Sequence, residues 1–305
     1  MSDKKYPRRI RYAASARRKF RTDKKVFILY IILRVIVVAA LTLSIVRGDF
    51  DSAFICLLVL VLFLVPEFIQ RTLKIEFPTT LQFVILLFIF AAEILGELSN
   101  YYIQFKYWDK LLHITWGFLC AAVGYSLVDI FNRDEHFGVR LSPIFLSIVA
   151  FTFSMTIGVL WEFFEFAADM ILRTDMQKDT VVNTISSVLL DPTNTNKAVI
   201  IKDITDVVVN GESLGVGGYI DIGLFDTMED LFVNFVGALV FCVIAYIGSS
   251  GGRLGRFSRR FIPRVKNPSE VSEEEKRYND DMRAFARAEK MRLDAKQKET
   301  QESKR

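Results

Sequence analysis

Three apolar segments of this 305-residue chain carry acidic, imidazole or amide side chains at helical spacing. They are Asp109 and His113 on the first segment, Glu162, Glu165 and Asp169 on the second, and Asp226, Asp230 and Asn234 on the third. Positions three or four apart share one face of an α-helix. An ionisable group at the centre of a bilayer costs roughly 2.5–3.5 kcal/mol, so we expect these side chains to face one another, a metal ion or water.

The side-chain types favour a metal centre. One imidazole among several carboxylates offers the oxygen-rich coordination that suits Mg²⁺, Mn²⁺, Ca²⁺ or a mixed Zn²⁺ site. A divalent metal ion is therefore the candidate cofactor. Its candidate ligands are His113, Glu162, Glu165, Asp169, Asp226, Asp230 and Asn234.

The same residues allow two other interpretations. Without a metal, His113 beside Asp109 fits an oriented general base, and a buried Glu162 or Glu165 fits the general acid. The candidate catalytic residues are His113, Asp109, Glu162, Glu165 and Asp230. The structural alternative is that the acids cap helix ends and the buried groups satisfy one another across helices.

The candidate site residues lie in or next to long apolar segments, and these segments must hold them in position. Half of the chain is apolar, and six segments have the roughly 17–25 residues that cross a bilayer as a helix. These segments are 26–46, 52–68, 79–101, 109–131, 142–171 and 227–248. The second is short because Pro66 is expected to end it. The sequence predicts an all-α fold, a polytopic bundle of about six transmembrane helices with a long extracytoplasmic loop and a charged C-terminal helix.

Charge divides the chain into a basic N-terminal arm at 1–25, a transmembrane domain at 26–248 and a charged tail at 249–305. Residues 1–25 hold eleven Lys or Arg against two Asp, and six more basic residues lie between Arg253 and Lys266. The loop 173–226 has four basic against eight acidic residues. By the positive-inside rule both termini are cytoplasmic and the loop is outside. That orientation puts the charged ends of all three segments at the outer face.

Local patterns predict structure in the loop and tail. Residues 179–190 fit a short amphipathic helix, and 198–209 are strand-like and end at the turn signal Asn210-Gly211. In the tail, Ser272 and Glu275 fit a capping box that begins a mixed-charge helix to about Lys298.

Several motifs together resemble a known family. Trp108-Asp109-Lys110-Leu111-Leu112-His113, Trp161-Glu162-Phe163-Phe164-Glu165, Asp226-Thr227-Met228-Glu229-Asp230 and Asn234-Phe235-Val236-Gly237-Ala238 look like the YjdF-type bacterial inner-membrane proteins of unknown function. The order of motifs is more distantly similar to VanZ-like proteins, which are linked to glycopeptide-antibiotic resistance and usually show E-x-x-Q where this chain has Glu165. The resemblance implies a bacterial plasma membrane.

Three functions are compatible with these sequence features. The first is an enzyme or ligand-handling protein that acts at the outer leaflet on a lipid-linked or cell-envelope substrate. The second is a proton- or cation-coupled transporter, and the third is a non-catalytic scaffold whose charged tail recruits a protein partner. The expected partners are the lipid bilayer, with anionic lipid at the basic arm, and no nucleic acid.

Overall fold

The computed structural model describes residues 6–7, 10, 14, 23–72, 75–133 and 141–302. Among these residues, six helices are long and apolar enough to cross a membrane. They are Lys24–Arg47, Phe50–Thr72, Thr79–Leu98, Trp108–Ile130, Pro143–Leu172 and Leu224–Gly248. The predicted class, a polytopic bundle of helices, is confirmed. The chain forms two compact units, residues 1–105 with 255–305, and residues 106–254.

The first unit contains three of the apolar segments. Its helices are α1 (Lys24–Arg47), α2 (Phe50–Leu62), α3 (Val65–Thr72), α4 (Thr79–Phe90) and α5 (Tyr101–Gln104), with a π-helical stretch at Ala91–Leu98. Asp23 caps α1 by accepting hydrogen bonds from the backbone N–H groups of Lys25 and Val26. The prediction that the second span ends near Pro66 is wrong, because this proline lies in the first turn of α3, where no intrahelical N–H is needed.

Residues 255–305, most of the tail, belong to the same unit. Helices α9 (Gly252–Ser258) and α10 (Pro268–Glu302) follow the last membrane helix, and β8 (Arg264–Val265) pairs antiparallel with β1 (Ile75–Glu76). The charged C-terminal helix is thus confirmed. Its predicted start at Ser272 is wrong. Glu270 accepts a 3.1 Å hydrogen bond from the backbone N–H of Asn267, so the helix is capped five residues earlier.

Most of the basic arm at 1–25 lies outside the described residues. Of its described positions, Ile10 and Ala14 form a buried cluster with Met282 of α10, and Tyr6 packs against that cluster. The division of the chain into arm, transmembrane domain and tail stays a prediction.

The second unit is a bundle of three helices, α6 (Trp108–Arg133), α7 (Pro143–Leu172) and α8 (Leu224–Gly248). Glycines let these helices approach closely, as is common in membrane bundles. A Cβ atom on Gly237 would lie 2.0 Å from the carbonyl oxygen of Ile114, and one on Gly117 would lie 2.2 Å from that of Asn234. The small residues at these positions therefore bring α6 and α8 into backbone contact.

The loop between α7 and α8 contains short antiparallel strand pairs. They are β2 (Val181–Val182) with β7 (Tyr219–Ile220), β3 (Ile185–Ser187) with β4 (Val199–Ile201), and β5 (Val208–Val209) with β6 (Glu212–Ser213). The amphipathic helix predicted at 179–190 is wrong, because β2 and β3 interrupt this range and its helical part is a single 3-10 turn, Val188–Leu190. The turn at Asn210-Gly211 is confirmed, and both residues have the positive φ, 54° and 92°, that a tight hairpin requires.

Candidate functional site

The polar stripes of the second unit meet at one end of the three-helix bundle. Asp109 and His113 lie in the first turns of α6, and Asp230 lies in the second turn of α8. Glu162 and Glu165 lie in the last three turns of α7, which runs in the opposite direction. Of the eight predicted site residues, five are buried: His113, Glu162, Glu165, Asp230 and Asn234.

The tightest group within this site is Asp109, His113 and Asp230, which we call the His113 cluster. One ligand atom from each residue lies within 4.8 Å of the other two. The Nε2 atom of His113 is 3.6 Å from Oδ1 of Asp109 and 3.8 Å from Oδ2 of Asp230. Three donor atoms from two helices therefore converge on one point.

The spacing of these atoms fits a shared cation. Separations of 3.6 and 3.8 Å are longer than a hydrogen bond between nitrogen and oxygen. Two ligands that each lie about 2.0–2.4 Å from one metal ion are separated by roughly 3–4 Å at tetrahedral or octahedral angles. Both oxygens of Asp230 are buried and have no hydrogen-bond partner among the described residues. The donor set thus fits a divalent cation.

Glu162 lies on the other side of the imidazole. Its Oε1 atom is 4.0 Å from Nδ1 of His113, and only 4% of the residue is exposed. Its Oε2 atom is buried, with no hydrogen-bond partner in the described parts of the chain. Glu165, one turn further along α7, accepts a 2.9 Å hydrogen bond from the indole Nε1–H of Trp161.

Asp169 and Asp226 hold the loop rather than joining the His113 cluster. Asp169 accepts the backbone N–H groups of Met176 and Gln177 at 2.7 and 2.8 Å. Asp226 accepts the backbone N–H of Lys178 at 2.8 Å. These carboxylates hold the segment 176–178, which begins three residues after the end of α7, against the adjacent ends of α7 and α8. Their assignment as metal ligands stays a prediction.

Asn234 lies one turn deeper than Asp230. It is 1% exposed, its Nδ2 atom contacts Sδ of Met155 at 3.5 Å, and its Oδ1 atom has no partner within the described residues. Below it, Ser154 donates a 2.8 Å hydrogen bond to the carbonyl oxygen of Gly117. Asn234 therefore separates the acidic end of the bundle from its tightly packed middle.

Gln177 lies beside the site, although no sequence pattern selects it. This loop residue is 9% exposed, and its Nε2 atom donates a 2.6 Å hydrogen bond to Oγ1 of Thr227. A single glutamine in an irregular loop has no periodic pattern that would reveal its position. In the same loop, partial burial raises the pKa of the Asp179 carboxyl. The neighbouring negative charges of Asp175 and Asp221 raise this pKa further.

The exposed surface of α8 has a groove of about 300 Å³ beside the site. Phe225, Met228, Phe232 and Val233 line it with apolar surface. An ion pair between Lys110 of α6 and Glu229 of α8 forms its polar rim. Each member of this pair is the chain neighbour of an acid in the His113 cluster.

A family described as "Predicted membrane protein (DUF2238)" matches residues 28–250, well over half of the chain. The chain is also similar to an uncharacterized protein of Thermotoga maritima, with 25% identity over 128 residues. That alignment covers 41% of this chain and 63% of the relative, so the chain spans under two thirds of the relative's length. No solved structure matches. The resemblance to YjdF-type and VanZ-like proteins stays a prediction.

Proposed function

The chain belongs to the DUF2238 family of predicted membrane proteins, and we propose that it binds a divalent cation through Asp109, His113 and Asp230. We further propose that this centre acts on the polar head group of a lipid-linked or other cell-envelope substrate. The remaining candidates, Glu162, Glu165, Asp169, Asp226 and Asn234, are then neighbours that orient the ligands, carry protons or hold the loop.

The proposal rests on the surroundings of Asp230. Its carboxylate is 99% buried, and neither oxygen has a hydrogen-bond partner among the described residues. This carboxylate faces an imidazole and a second acid. A buried carboxylate costs several kcal/mol unless it is paired or coordinates a metal ion. Asp109 adds a second acid, which increases the demand for positive charge. A divalent cation supplies two charges at the point where three ligand atoms converge.

The groove on α8 supports a lipid-linked substrate. An alkyl chain that lies along Phe225, Met228 and Phe232 would bring its head group to Lys110, next to Asp109. Lys110 offers a positive charge to an anionic head group, although in the free protein it pairs with Glu229.

The bound cation would act as a Lewis acid on a head-group oxygen and would activate water. The chain's own residues supply the rest. Glu165, buried on α7 one turn beyond Glu162, is the residue that we assign to accept and return a proton. The segment 176–178, which is bonded to Asp169 and Asp226, would cover this end of the bundle and limit access of bulk water.

We propose that this reaction takes place at the outer face of a bacterial plasma membrane. The eleven basic residues of 1–25 and the acidic bias of 173–226 support cytoplasmic termini. With that orientation, the N-terminal ends of α6 and α8 open toward the exterior. The basic arm then contacts anionic lipid of the inner leaflet, and the exposed face of α10 remains available to a protein partner.

Metal analysis of the full-length chain in detergent tests the cation site. We expect the wild type, loaded with Mn²⁺ and desalted, to retain one equivalent per chain, and His113→Ala and Asp230→Asn to retain none. Asp175→Asn, which removes an exposed loop carboxylate, is the matched control and should retain the ion. Equal retention in all four proteins would overturn the proposed function.

Lipid analysis tests the substrate class. Native mass spectrometry of the wild type should detect bound phosphatidylglycerol, and Lys110→Met should retain several-fold less. Val240→Ala, on a lipid-facing position of α8 outside the groove, should bind as the wild type does. If Mn²⁺ instead enters proteoliposomes containing the wild type but not Asp230→Asn, the protein is a cation transporter and the enzyme assignment is wrong.

A further inference from the structure

The two nitrogens of His113 face different partners. Nε2 points toward Asp109 and Asp230, at 3.6 and 3.8 Å, and Nδ1 points toward Glu162 at 4.0 Å. A neutral imidazole carries one hydrogen, so only one of its nitrogens can bind a cation. The tautomer of His113 therefore decides whether the His113 cluster can bind a metal ion.

We infer that Glu162 is a positioning residue that accepts a hydrogen bond from Nδ1–H of His113 and leaves Nε2 free to bind the cation. This inference rests on the proposed function, because it assigns the cation to the Nε2 side. Metal-binding histidines generally donate their second N–H to a carboxylate or carbonyl group, which fixes the ring and raises its basicity as a ligand.

The surroundings of Glu162 support this role. Within the described residues, its Oε2 atom is buried without a hydrogen-bond partner. Glu165, the nearest other acid on α7, is already bonded to Trp161. Asp109 and Asp230 both lie on the Nε2 side. Glu162 is thus the acid placed to accept Nδ1–H.

The distance fits a site that tightens on binding. Oε1 of Glu162 and Nδ1 of His113 are about 1 Å further apart than a hydrogen bond. Hydrogen bonds in functional sites are often long in the free protein and shorten when the ligand binds. A small rotation of the imidazole toward Glu162 would shorten this contact and keep Nε2 directed at the acids of the His113 cluster.

The chain's two histidines make the tautomer measurable. Nitrogen NMR of the full-length protein labelled with ¹⁵N-histidine, in the His136→Gln background, observes His113 alone. With Zn²⁺ as the probe, we expect a protonated Nδ1 and a zinc-bound Nε2. Glu162→Leu should shift the metal-free ring toward a mixture of tautomers and weaken Zn²⁺ binding roughly 10- to 100-fold, with one ion still bound at saturation.

Two further variants separate positioning from other roles. Glu162→Gln keeps an oxygen that can accept Nδ1–H, so it should preserve the tautomer and bind Zn²⁺ more tightly than Glu162→Leu. Phe163→Leu changes the neighbouring lipid-facing side chain, which is 64% exposed, and should leave both readouts unchanged.

Three results would overturn the inference. The first is a metal ion bound to Nδ1. The second is a Glu162→Leu protein whose tautomer and Zn²⁺ affinity are both unchanged. The third is loss of the bound ion in both Glu162 variants, which would make Glu162 a ligand. Wild-type protein that binds no Zn²⁺ or Mn²⁺ contradicts the proposed function. In that case the tautomers of metal-free wild type and Glu162→Leu still test whether Glu162 orients the ring.

Discussion

Oδ2 of Asp230 lies 3.8 Å from Nε2 of His113, although these residues belong to different helices. The contact exists because Gly237 lets α8 approach α6 until a Cβ atom would lie 2.0 Å from the backbone of Ile114. Close packing in the middle of the bundle thus sets the separation of the acids and the imidazole at its end.

Replacing Asp230 with Asn should remove the stabilisation that a cation gives the wild type. Metal at about 100 times its dissociation constant stabilises a protein by about 2.7 kcal/mol. We expect Mn²⁺ to raise the melting temperature of the wild type by several degrees and to leave that of Asp230→Asn unchanged. Differential scanning fluorimetry with and without EDTA measures both. An equal rise in the two proteins would contradict the prediction.

Gly237→Ala should destabilise the bundle, because its methyl group would overlap the carbonyl oxygen of Ile114. Overpacking costs about 1–3 kcal/mol, and here the neighbour is backbone that cannot rotate away. The melting temperature without metal should fall, and Mn²⁺ affinity should fall with it because α6 and α8 move apart. Val240→Ala on the exposed face of α8 is the control, and a drop of similar size there would argue against the packing explanation.

Asp169→Asn should release the segment that follows α7. The carboxylate accepts the backbone N–H groups of Met176 and Gln177, and a neutral amide accepts these bonds more weakly. Trypsin should then cut after Lys178 several-fold faster than in the wild type, which peptide mass spectrometry can quantify. Asp203→Asn, at an exposed position elsewhere in the loop, should leave the rate near that of the wild type. If both variants are cut equally, Asp169 does not hold the loop.

The start of α10 should depend on acid pH. The backbone N–H of Asn267, followed by the Arg264 guanidinium, holds the pKa of Glu270 below its ordinary value of 4.5. A lowered folded-state pKa stabilises the helix start above pH 4.5, and this contribution is lost as the pH falls through the lowered value. Backbone chemical shifts of residues 268–272 should lose helical character at that pH. In Glu270→Gln they should not change with pH over this range.

The helices and their buried faces could be predicted from the sequence because both follow the period of the α-helix. Residues spaced by three or four from Ser154 to Glu165 are buried on α7, as the stripe predicted. The spacing of residues predicts which helix face they share, but it does not predict where the helix ends. Asp169 continues the same stripe, but α7 ends at Leu172, so its carboxylate meets loop backbone instead of the His113 cluster.

The loop was harder to predict because its strands contain only two or three residues and alternate too briefly to show a period. Residues 179–190 have enough apolar positions to fit a helix, but their partners β4 and β7 lie many residues downstream. Contacts between residues that are far apart in the sequence determine the structure of this loop. Gln177 is placed by the same distant contacts, through Thr227.

The most direct test of a cation at the His113 cluster is anomalous diffraction from crystals of the full-length protein grown with Mn²⁺. We predict a single strong peak at about 2–2.4 Å from Nε2 of His113 and from carboxylate oxygens of Asp109 and Asp230, absent in Asp230→Asn crystals. Saturating Mn²⁺ with no peak there, and with these side chains bonded to water or to one another, would contradict the account.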